Sequence, residues 1–385
     1  MTESSRYPTG RLICASSGDT YPDTEPRWRS DTGKLLDIDW EPRFDLDLIC
    51  RRKGTLWRYR EAIPLRNDAN IVSLDEGFTP LTDVTLDGRR VLFKQDQLFP
   101  SGSYKDRGAT VLISKARELA IERVVQDSSG NAGCSFAAYC ARAGIACEIF
   151  VPAQTSPAKL AQIQSYGARL RLIEGSRTDT ACAALAAAET TYYASHCWNP
   201  YFLHGTKTFA FEVCEQLGWE LPDTVILPVG NGTLLLGAYL GFKDLIRAGV
   251  TQGFPRLVGV QAAACAPLYH TFLSRSPGTL PKAGETMAEG IAVEHPVRGK
   301  QVLAAIRETK GTILSVSEEE IADSLRLVTA MGFYVEPTAA ATVAGVRSYL
   351  ASATGRERVV SVFTGHGLKS TEKMLHMFHP TAGGR

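Results

Sequence analysis

A lysine within a run of small and polar residues is the first side chain that could do chemistry: Lys105, in the segment 101–108 (SGSYKDRG). The segment follows a predicted strand over 91–94 and precedes an Ala-rich predicted helix over 109–120. At such a junction a lysine can be partly desolvated, which favours the neutral amine that attacks a carbonyl carbon. A solvated lysine paired with Asp106 is the alternative.

A second junction, 127–133 (DSSGNAG), lies between a predicted strand over 123–126 and a helix predicted to start near Ser135. Its polar side chains include those of Ser128, Ser129 and Asn131. Hydroxyl groups, an amide and exposed N–H groups at a helix N-terminus suit a carboxylate ligand. An ordinary capping loop is the alternative, because Ser and Asn are good N-caps.

A third junction, 228–234 (PVGNGTL), follows a predicted strand over 224–228 and precedes a helix predicted over 235–245. Its candidate phosphate-binding residues are Gly230, Asn231, Gly232, Thr233 and Leu234. The glycines also resemble a dinucleotide-binding turn, but no acidic residue ends a strand about 20 residues later, as that turn requires. A nicotinamide oxidoreductase is therefore disfavoured.

The fourth junction, 363–369 (FTGHGLK), follows a strand predicted over 359–362. The Thr364 hydroxyl, at the end of a buried strand, could donate a hydrogen bond to a heterocyclic nitrogen. A tight turn that closes the last strand–helix unit is the alternative.

The elements that position these junctions are short β-branched runs alternating with Ala-rich helical stretches from residue 72 onward. This alternation predicts an α/β fold with mostly parallel sheets, and more than one sheet. In such sheets chemistry collects at the carboxyl ends of the strands. Residues 1–70 are instead rich in Arg, Asp, Trp and Pro and predict an irregular extension with a few short elements.

Composition excludes several classes of protein. The 385 residues carry a net charge of +1 with 22% charged residues, which argues against nucleic-acid binding and against disorder. The most apolar stretch, 225–242, contains a proline and glycines, so we expect no membrane association. The N-terminus lacks a signal-peptide core and the nine cysteines form no C-x-x-C pair, which indicates reduced thiols in the cytoplasm.

Taken together and in this order, the four junctions resemble the motifs of fold-type II pyridoxal-phosphate enzymes, and most of all those of threonine synthases. Further segments match the same family: EGFTPL (76–81), CARAGI (140–145), HGTKTFAFEV (204–213) and VEPTAAATVAG (335–345). The resemblance implies pyridoxal 5'-phosphate as cofactor and a homodimer. It also implies two three-layer α/β domains with a cleft between them: a large domain of 71–97 and 191–385, and a small domain of 98–190.

The resemblance also implies roles for individual residues. Lys105 would form the internal aldimine and shuttle a proton at the substrate Cα. Asn131 would hydrogen-bond the phenolic oxygen of the cofactor, residues 230–234 would hold its phosphate, and Thr364 would face its pyridine nitrogen. Ser128 and Ser129, with neighbouring N–H groups, would bind the carboxylate of an amino-acid substrate. A neutral hydroxyl at the pyridine nitrogen implies a weak electron sink and favours elimination or replacement over transamination.

Some positions depart from the threonine-synthase pattern. Threonine synthases clamp the phosphate of O-phosphohomoserine with Asn, Ser and Arg, where this chain has His196, Cys197 and Phe202. We expect His196 and Phe202 to contact a less anionic substrate, with Trp198 and Tyr201 completing an apolar wall. Alternatively, the missing positive charge comes from elsewhere in the chain, the candidates being Arg107, His204 and Lys207. Other departures are Tyr104 for Phe, Ala132 for Thr and Leu234 for Asn.

The N-terminal extension resembles a zinc ribbon that has lost its metal. Cys14 remains, but Ser17, Arg29 and Thr32 stand at the other ligand positions, and one thiolate cannot hold a tetrahedral zinc ion. We expect no metal there, and packing by apolar side chains instead: Trp28, Leu35, Leu36 and Trp40.

The function that this resemblance implies is a lyase or replacement reaction on an amino acid, through the Lys105 aldimine and with an altered phosphate clamp. The first alternative is β-elimination or β-replacement on a serine- or cysteine-derived amino acid. A second is a degenerate paralogue that binds the cofactor without turnover, although such a protein has no physical reason to keep Lys105, Asn131, the glycine loop and Thr364.

Overall fold

The computed structural model describes residues 10–274, 281–353 and 356–378, except for the side chains of 158–159. Within these residues the chain forms two compact units. The first contains 10–78, 105–211 and 240–250, and the second contains 79–104, 212–239 and the described residues from 251 onward. Both units are discontinuous in sequence, so each is assembled from segments that are distant along the chain.

The strands, in chain order, are β1 (Arg11–Cys14), β2 (Thr20–Pro22), β3 (Leu36–Asp39), β4 (Leu81–Leu86), β5 (Arg89–Lys94), β6 (Arg123–Gln126), β7 (Ala146–Pro152), β8 (Arg169–Ile173), β9 (Tyr192–Tyr193), β10 (Thr224–Pro228), β11 (Arg256–Ala262), β12 (Thr312–Val316) and β13 (Val359–Val362). The α-helices are α1 (Leu46–Arg51), α2 (Lys105–Glu118), α3 (Asn131–Ala143), α4 (Pro157–Ser165), α5 (Arg177–Ala187), α6 (Pro200–Thr206), α7 (Thr208–Gln216), α8 (Thr233–Arg247), α9 (Pro267–Leu273), α10 (Gly299–Glu308), α11 (Glu318–Ala330), α12 (Pro337–Ser352) and α13 (Thr371–Phe378).

The first unit contains a parallel four-stranded sheet in the order β8-β7-β6-β9. Its strands are rich in Val, Ile and Tyr, and its core continues into the apolar faces of α2 and α3, which include Ile113, Phe136 and Tyr139. The sheet therefore presents the carboxyl end of β6, the central strand before the DSSGNAG loop, at one edge.

The second unit contains a six-stranded sheet in the order β12-β11-β10-β13-β5-β4. The strands are parallel except β4, which is an antiparallel edge strand paired with β5. The strands β10 and β13 are buried along their whole length, as parallel strands covered on both faces must be. Since β10 and β13 are neighbours, their carboxyl ends bring the glycine loop and Thr364 to the same edge of one sheet.

The N-terminal segment is more regular than the sequence predicts. Its strands form a three-stranded antiparallel sheet, β2-β1-β3, and its first nine residues lie outside the described residues. Cys14 and Leu36 join the core of the first unit, and Trp28 and Trp40 are buried. Hydrogen bonds from the Ser16 and Ser17 hydroxyls lower the pKa of the Cys14 thiol to about 6. The described residues contain no group of His, Cys, Asp or Glu side chains that could hold a metal ion.

The two compact units differ from the domain boundaries expected from the sequence. The first unit includes 191–211, which that division gives to the large domain, and it also includes the N-terminal extension. The division at 98–190 remains a prediction. In the part of the chain that the structure describes, no helix has the length and apolarity needed to cross a membrane.

Candidate functional site

Lys105 is the first residue of α2, so it lies in the first helical turn and not in the loop before a helix that was predicted to begin at Ala109. Its side chain is half-buried. The preceding residue, Tyr104, donates its backbone N–H to the Thr364 carbonyl oxygen at 2.9 Å. The following residue, Asp106, is fully buried and accepts a 2.5 Å hydrogen bond from the Ser135 hydroxyl on α3. Hydrogen bonds on both sides thus restrain the backbone at Lys105.

The DSSGNAG loop joins β6 to α3, and α3 begins at Asn131, four residues before the predicted start. Ser128, Ser129 and Asn131 are all half-buried, and the Ser128 hydroxyl accepts from the Gly130 N–H at 3.2 Å. A Cβ at Gly133 would lie 1.9 Å from the Ser128 carbonyl oxygen, so the turn lies directly against the helix backbone. The loop therefore presents hydroxyl, amide and N–H groups from a tightly fixed turn.

His196 is buried between β9 and α6, with Nδ1 3.3 Å from the Gln126 side-chain nitrogen. Burial, and to a lesser extent the positive charge of Lys105, lowers the pKa of His196 to about 3. The imidazole is therefore neutral at neutral pH. With Nδ1 accepting from Gln126, the ring proton lies on Nε2, which is then a hydrogen-bond donor.

Phe202 is fully buried on α6 in the core of the first unit. Its ring lies 6.0 Å from the rings of both Phe136 and His196, and a Cβ at Gly108 would lie 2.3 Å from it. Packing thus accounts for this aromatic side chain, and contact between Phe202 and a substrate stays a prediction.

The other members of the expected aromatic wall contact the N-terminal segment. The Trp198 ring lies 5.8 Å from Trp28 in an edge-to-face arrangement, and the Tyr201 hydroxyl lies 3.4 Å from the Asp23 carbonyl oxygen. These contacts explain why the residues are aromatic without any ligand.

The cations considered as replacements in the phosphate clamp have partners within the first unit. The Lys207 ammonium is buried, 2.7 Å from Asp244 Oδ2 and 2.9 Å from His204 Nδ1. Arg107 is also buried and donates to the Thr208 hydroxyl at 3.0 Å. Burial lowers the pKa of Lys207, which weakens it further as a binding site for a phosphate dianion.

The glycine loop of the second unit runs from β10 into α8, which begins at Thr233 rather than at Leu235. Gly230 and Gly232 are required by packing. A Cβ at Gly230 would lie 2.9 Å from the Ile291 Cα, and one at Gly232 would lie 2.2 Å from Val302, in addition to the positive φ of 76° at Gly232. The N–H groups of the first turn of α8 have no intrahelical acceptors and suit a phosphate. The Leu234 side chain is 1% exposed, so only its backbone could bind an anion.

Thr364 is fully buried two residues beyond β13, a strand that ends at Val362. Its hydroxyl donates to Glu336 Oε1 at 3.0 Å. The sequence motifs do not single out Glu336, the residue directly before α12. A glutamate followed by a proline does, however, mark the start of this helix in the sequence.

The second unit thus brings three of the sequence motifs together. Tyr104, the residue before Lys105, lies against Thr364 through its N–H, and its hydroxyl lies 3.5 Å from the hydroxyl of Thr233 in the glycine loop. These segments supply helix N–H groups that suit a phosphate and a hydroxyl that suits a ring nitrogen, and Lys105 follows directly in the chain with an amine that suits an aldehyde. This donor set fits pyridoxal phosphate.

Comparison with known proteins gives the same result. The family model for pyridoxal-phosphate dependent enzymes matches residues 72–365. The threonine synthase of Methanocaldococcus jannaschii is 36% identical, with 94% of this chain and 93% of that protein covered. The threonine synthase of Methanosarcina acetivorans is 33% identical over 94% and 93%.

Among solved structures, a threonine deaminase from T.th. is 27% identical, with a TM-score of 0.63, and covers 75% of this chain and 92% of its own. The processed form of threonine deaminase isoform 2 from Solanum lycopersicum has a TM-score of 0.69 at 21% identity, over 91% and 93% of the two chains, and shows the shared fold. The chain therefore belongs to the pyridoxal-phosphate-dependent enzymes of fold type II and is similar to threonine synthases.

Proposed function

We propose that this protein eliminates or replaces a leaving group on the side chain of an amino acid, in a reaction like that of a threonine synthase. The observation that carries the proposal is the pair of contacts made by Tyr104, to the Thr364 carbonyl oxygen at 2.9 Å and to the Thr233 hydroxyl at 3.5 Å. They hold the residue before Lys105 against the segments expected to bind the cofactor ring and phosphate.

The cofactor, when bound, supplies an electron sink for the electron pair that proton removal leaves on the substrate Cα. In the proposed arrangement Lys105 would hold the cofactor covalently until the substrate amine displaces it, and the freed Lys105 amine would then remove and return the proton at Cα. The N–H groups of 231–234 and the Thr233 hydroxyl bind the phosphate. Asn131 donates to the phenolic oxygen of the ring.

Substrate orientation is proposed for the loop before α3. Ser128, Ser129 and the first N–H groups of α3 hold the substrate carboxylate, since a helix N-terminus stabilises an anion. The tight packing of this turn against Gly133 supports a fixed orientation of the bound carboxylate.

His196 is proposed to act on the leaving group. Its burial keeps the imidazole neutral, so it serves as a hydrogen-bond donor through Nε2 and not as a cation. A neutral donor discriminates less strongly in favour of a phosphate dianion than a guanidinium, which binds in a bidentate and charge-assisted manner.

O-phosphohomoserine is the first candidate substrate, because of the similarity to threonine synthases. The second candidate reaction is β-elimination or β-replacement on a serine- or cysteine-derived amino acid. It is favoured by the Lys207 ammonium, which already lies between Asp244 and His204, and by the buried packing of Phe202 where threonine synthases have the arginine of the clamp.

A spectral titration of the purified holoenzyme tests the proposal. O-phosphohomoserine, O-phosphoserine, O-acetylserine, serine, cysteine and threonine are added in turn, and the visible band of the cofactor is followed while phosphate, pyruvate and ammonia are assayed. A band shift with phosphate release from O-phosphohomoserine supports the first candidate. A shift with a β-substituted amino acid alone supports the second.

The matched control is Lys105→Ala, which we expect to bind cofactor without covalent attachment and to release no product. If the wild-type band does not respond to any of the amino acids and no product forms, the enzymatic proposal is wrong and the chain is a cofactor-binding paralogue.

A further inference from the structure

Gln126 is the last residue of β6 and directly precedes the loop proposed to hold the substrate carboxylate. Its side chain is fully buried, and its amide nitrogen lies 3.3 Å from His196 Nδ1, so the two side chains form a pair within the first unit. The amide oxygen, Oε1, is also buried and has no hydrogen-bond donor among the described residues. The end of β6 therefore presents an acceptor that the described part of the chain leaves unsatisfied.

An unsatisfied acceptor at this position is unfavourable for folding alone. A buried polar atom without a hydrogen-bond partner destabilises a protein, and an apolar residue of similar volume would avoid that loss. The preceding residues of β6, Val124 and Val125, are apolar and buried. Contact with His196 accounts for the nitrogen of Gln126 but not for its oxygen, and a ligand that donates an O–H or N–H group would satisfy the oxygen.

The charges around this pair leave no counter-ion for a phosphate group. Three charged side chains shift the pKa of His196: Lys105 and Arg177 lower it and Asp127 raises it. Arg177 Nη2 lies 2.8 Å from Asp127 Oδ2, so these two charges are paired, and Lys105 is proposed to hold the cofactor. Gln126 and His196 are themselves uncharged. The surroundings of the pair thus suit an uncharged polar group better than a dianion.

We propose that Gln126 is a specificity-determining residue whose Oε1 accepts a hydrogen bond from a hydroxyl group on the side chain of the amino-acid substrate. The inference rests on the proposed function, and it favours an unesterified hydroxy amino acid, such as serine, over O-phosphohomoserine. A hydroxyl donates to Oε1, whereas an ether oxygen or a fully ionised phosphate only accepts. Because the buried acceptor would stay unpaired, the site rejects an analogue that lacks the donor.

The test compares three forms of one amino acid as ligands of the full-length holoenzyme at pH 8: L-serine, O-methyl-L-serine and O-phospho-L-serine. The corresponding three forms of L-homoserine are measured in parallel. Stopped-flow mixing gives the half-saturating concentration for the shift of the visible cofactor band. With the wild type, the hydroxyl form is expected to bind at least about tenfold more tightly than the O-methyl form, and the phosphate form to bind most weakly.

Gln126→Met removes the acceptor at nearly constant volume and is expected to reduce the preference for hydroxyl over O-methyl to about twofold or less. The matched control is Gln154→Met. Gln154 is exposed and donates to the Gly175 carbonyl oxygen at 3.0 Å, so its variant is expected to keep the wild-type preference. The comparison of ligands on the wild type needs no variant, so it tests the inference even if Gln126→Met does not fold.

Three results overturn the inference while the proposed function stands, because in each of them the cofactor band responds to an amino acid. The wild type binds a phosphate form most tightly, it binds the hydroxyl and O-methyl forms equally, or its hydroxyl preference is unchanged in Gln126→Met. If no amino acid shifts the band of the wild type and no product forms, the proposed function fails and the inference fails with it.

Discussion

At the scale of single residues, Lys105 is positioned through its chain neighbours. Tyr104 is bonded to the Thr364 carbonyl oxygen, and Asp106 to the Ser135 hydroxyl. Neither neighbour is identified by residue type alone, because a tyrosine and an aspartate next to a lysine are also compatible with a solvated loop. The structure shows that the lysine, despite its length and flexibility, starts from a restrained backbone.

The Asp106–Ser135 hydrogen bond leads to a first prediction. In Ser135→Ala the fully buried Asp106 carboxylate loses a donor, and we expect a loss of about 1–3 kcal/mol in the free energy of unfolding. Chemical denaturation of the apoprotein measures it. The control is Ser165→Ala, whose exposed hydroxyl bonds only a local carbonyl, with an expected change below about 0.5 kcal/mol. Equal effects of the two variants would contradict the account.

At the scale of helices and strands, the sequence predicts strand positions better than helix starts. The strands β6 and β10 have the predicted bounds, but α2, α3 and α8 begin at Lys105, Asn131 and Thr233, two to four residues before their predicted starts. The reason is physical. The first turn of each of these helices carries polar residues suited to ligands. The apolar periodicity from which a helix is predicted begins only after that turn.

Other features could not be predicted because they depend on packing between distant segments. The contact of Phe202 with substrate stays a prediction, whereas its packing against the Gly108 backbone is visible only when α2 and α6 are in place. Glu336 is 28 residues from Thr364 in sequence, so no local pattern joins them. In the N-terminal extension a few short elements were predicted but not their pairing into a sheet, because strands of three or four residues are too short for periodicity to show.

The close packing of α2 and α6 leads to a second prediction. A Cβ at Gly205 would lie 1.9 Å from the Arg107 carbonyl oxygen, so Gly205→Ala must push the helices apart and is expected to destabilise the protein by about 3 kcal/mol or more. Gly299→Ala is the control, because its Cβ would meet the flexible end of Leu268 at 3.1 Å and Pro296 Cβ at an ordinary contact distance of 3.7 Å. We expect that variant to be neutral or slightly stabilising, since alanine favours helix. A thermal melt of both variants decides, and a small effect of Gly205→Ala would contradict this packing.

At the scale of the whole molecule, His196 makes stability depend on pH. Its pKa is about 3 in the folded protein because of burial, and its ordinary value is 6.5. As the pH falls, the unfolded chain therefore binds a proton at His196 before the folded protein does. The contribution of His196 to the free energy of unfolding is complete above about pH 6.5 and is lost as the pH falls toward about 3.

The third prediction follows from this loss of unfolding free energy at low pH. Between about pH 7 and pH 5 the wild type should lose unfolding free energy with a slope approaching about 1.4 kcal/mol per pH unit from this residue alone. His196→Gln should remove that part of the slope, and the exposed His376→Gln should retain it. Denaturant titrations at several pH values measure the slopes. An unchanged pH dependence in His196→Gln would show that His196 is not buried in its neutral form.

The most direct test of the central claim is to locate the covalent link between protein and cofactor. The holoenzyme is reduced with borohydride, digested, and mapped by mass spectrometry, with Lys105→Ala and the exposed-lysine variant Lys243→Ala treated in parallel. The account predicts that the phosphopyridoxyl group is found on Lys105 in the wild type and in Lys243→Ala, and is absent from Lys105→Ala. Modification of a different lysine, or no modification of the wild type, would contradict it.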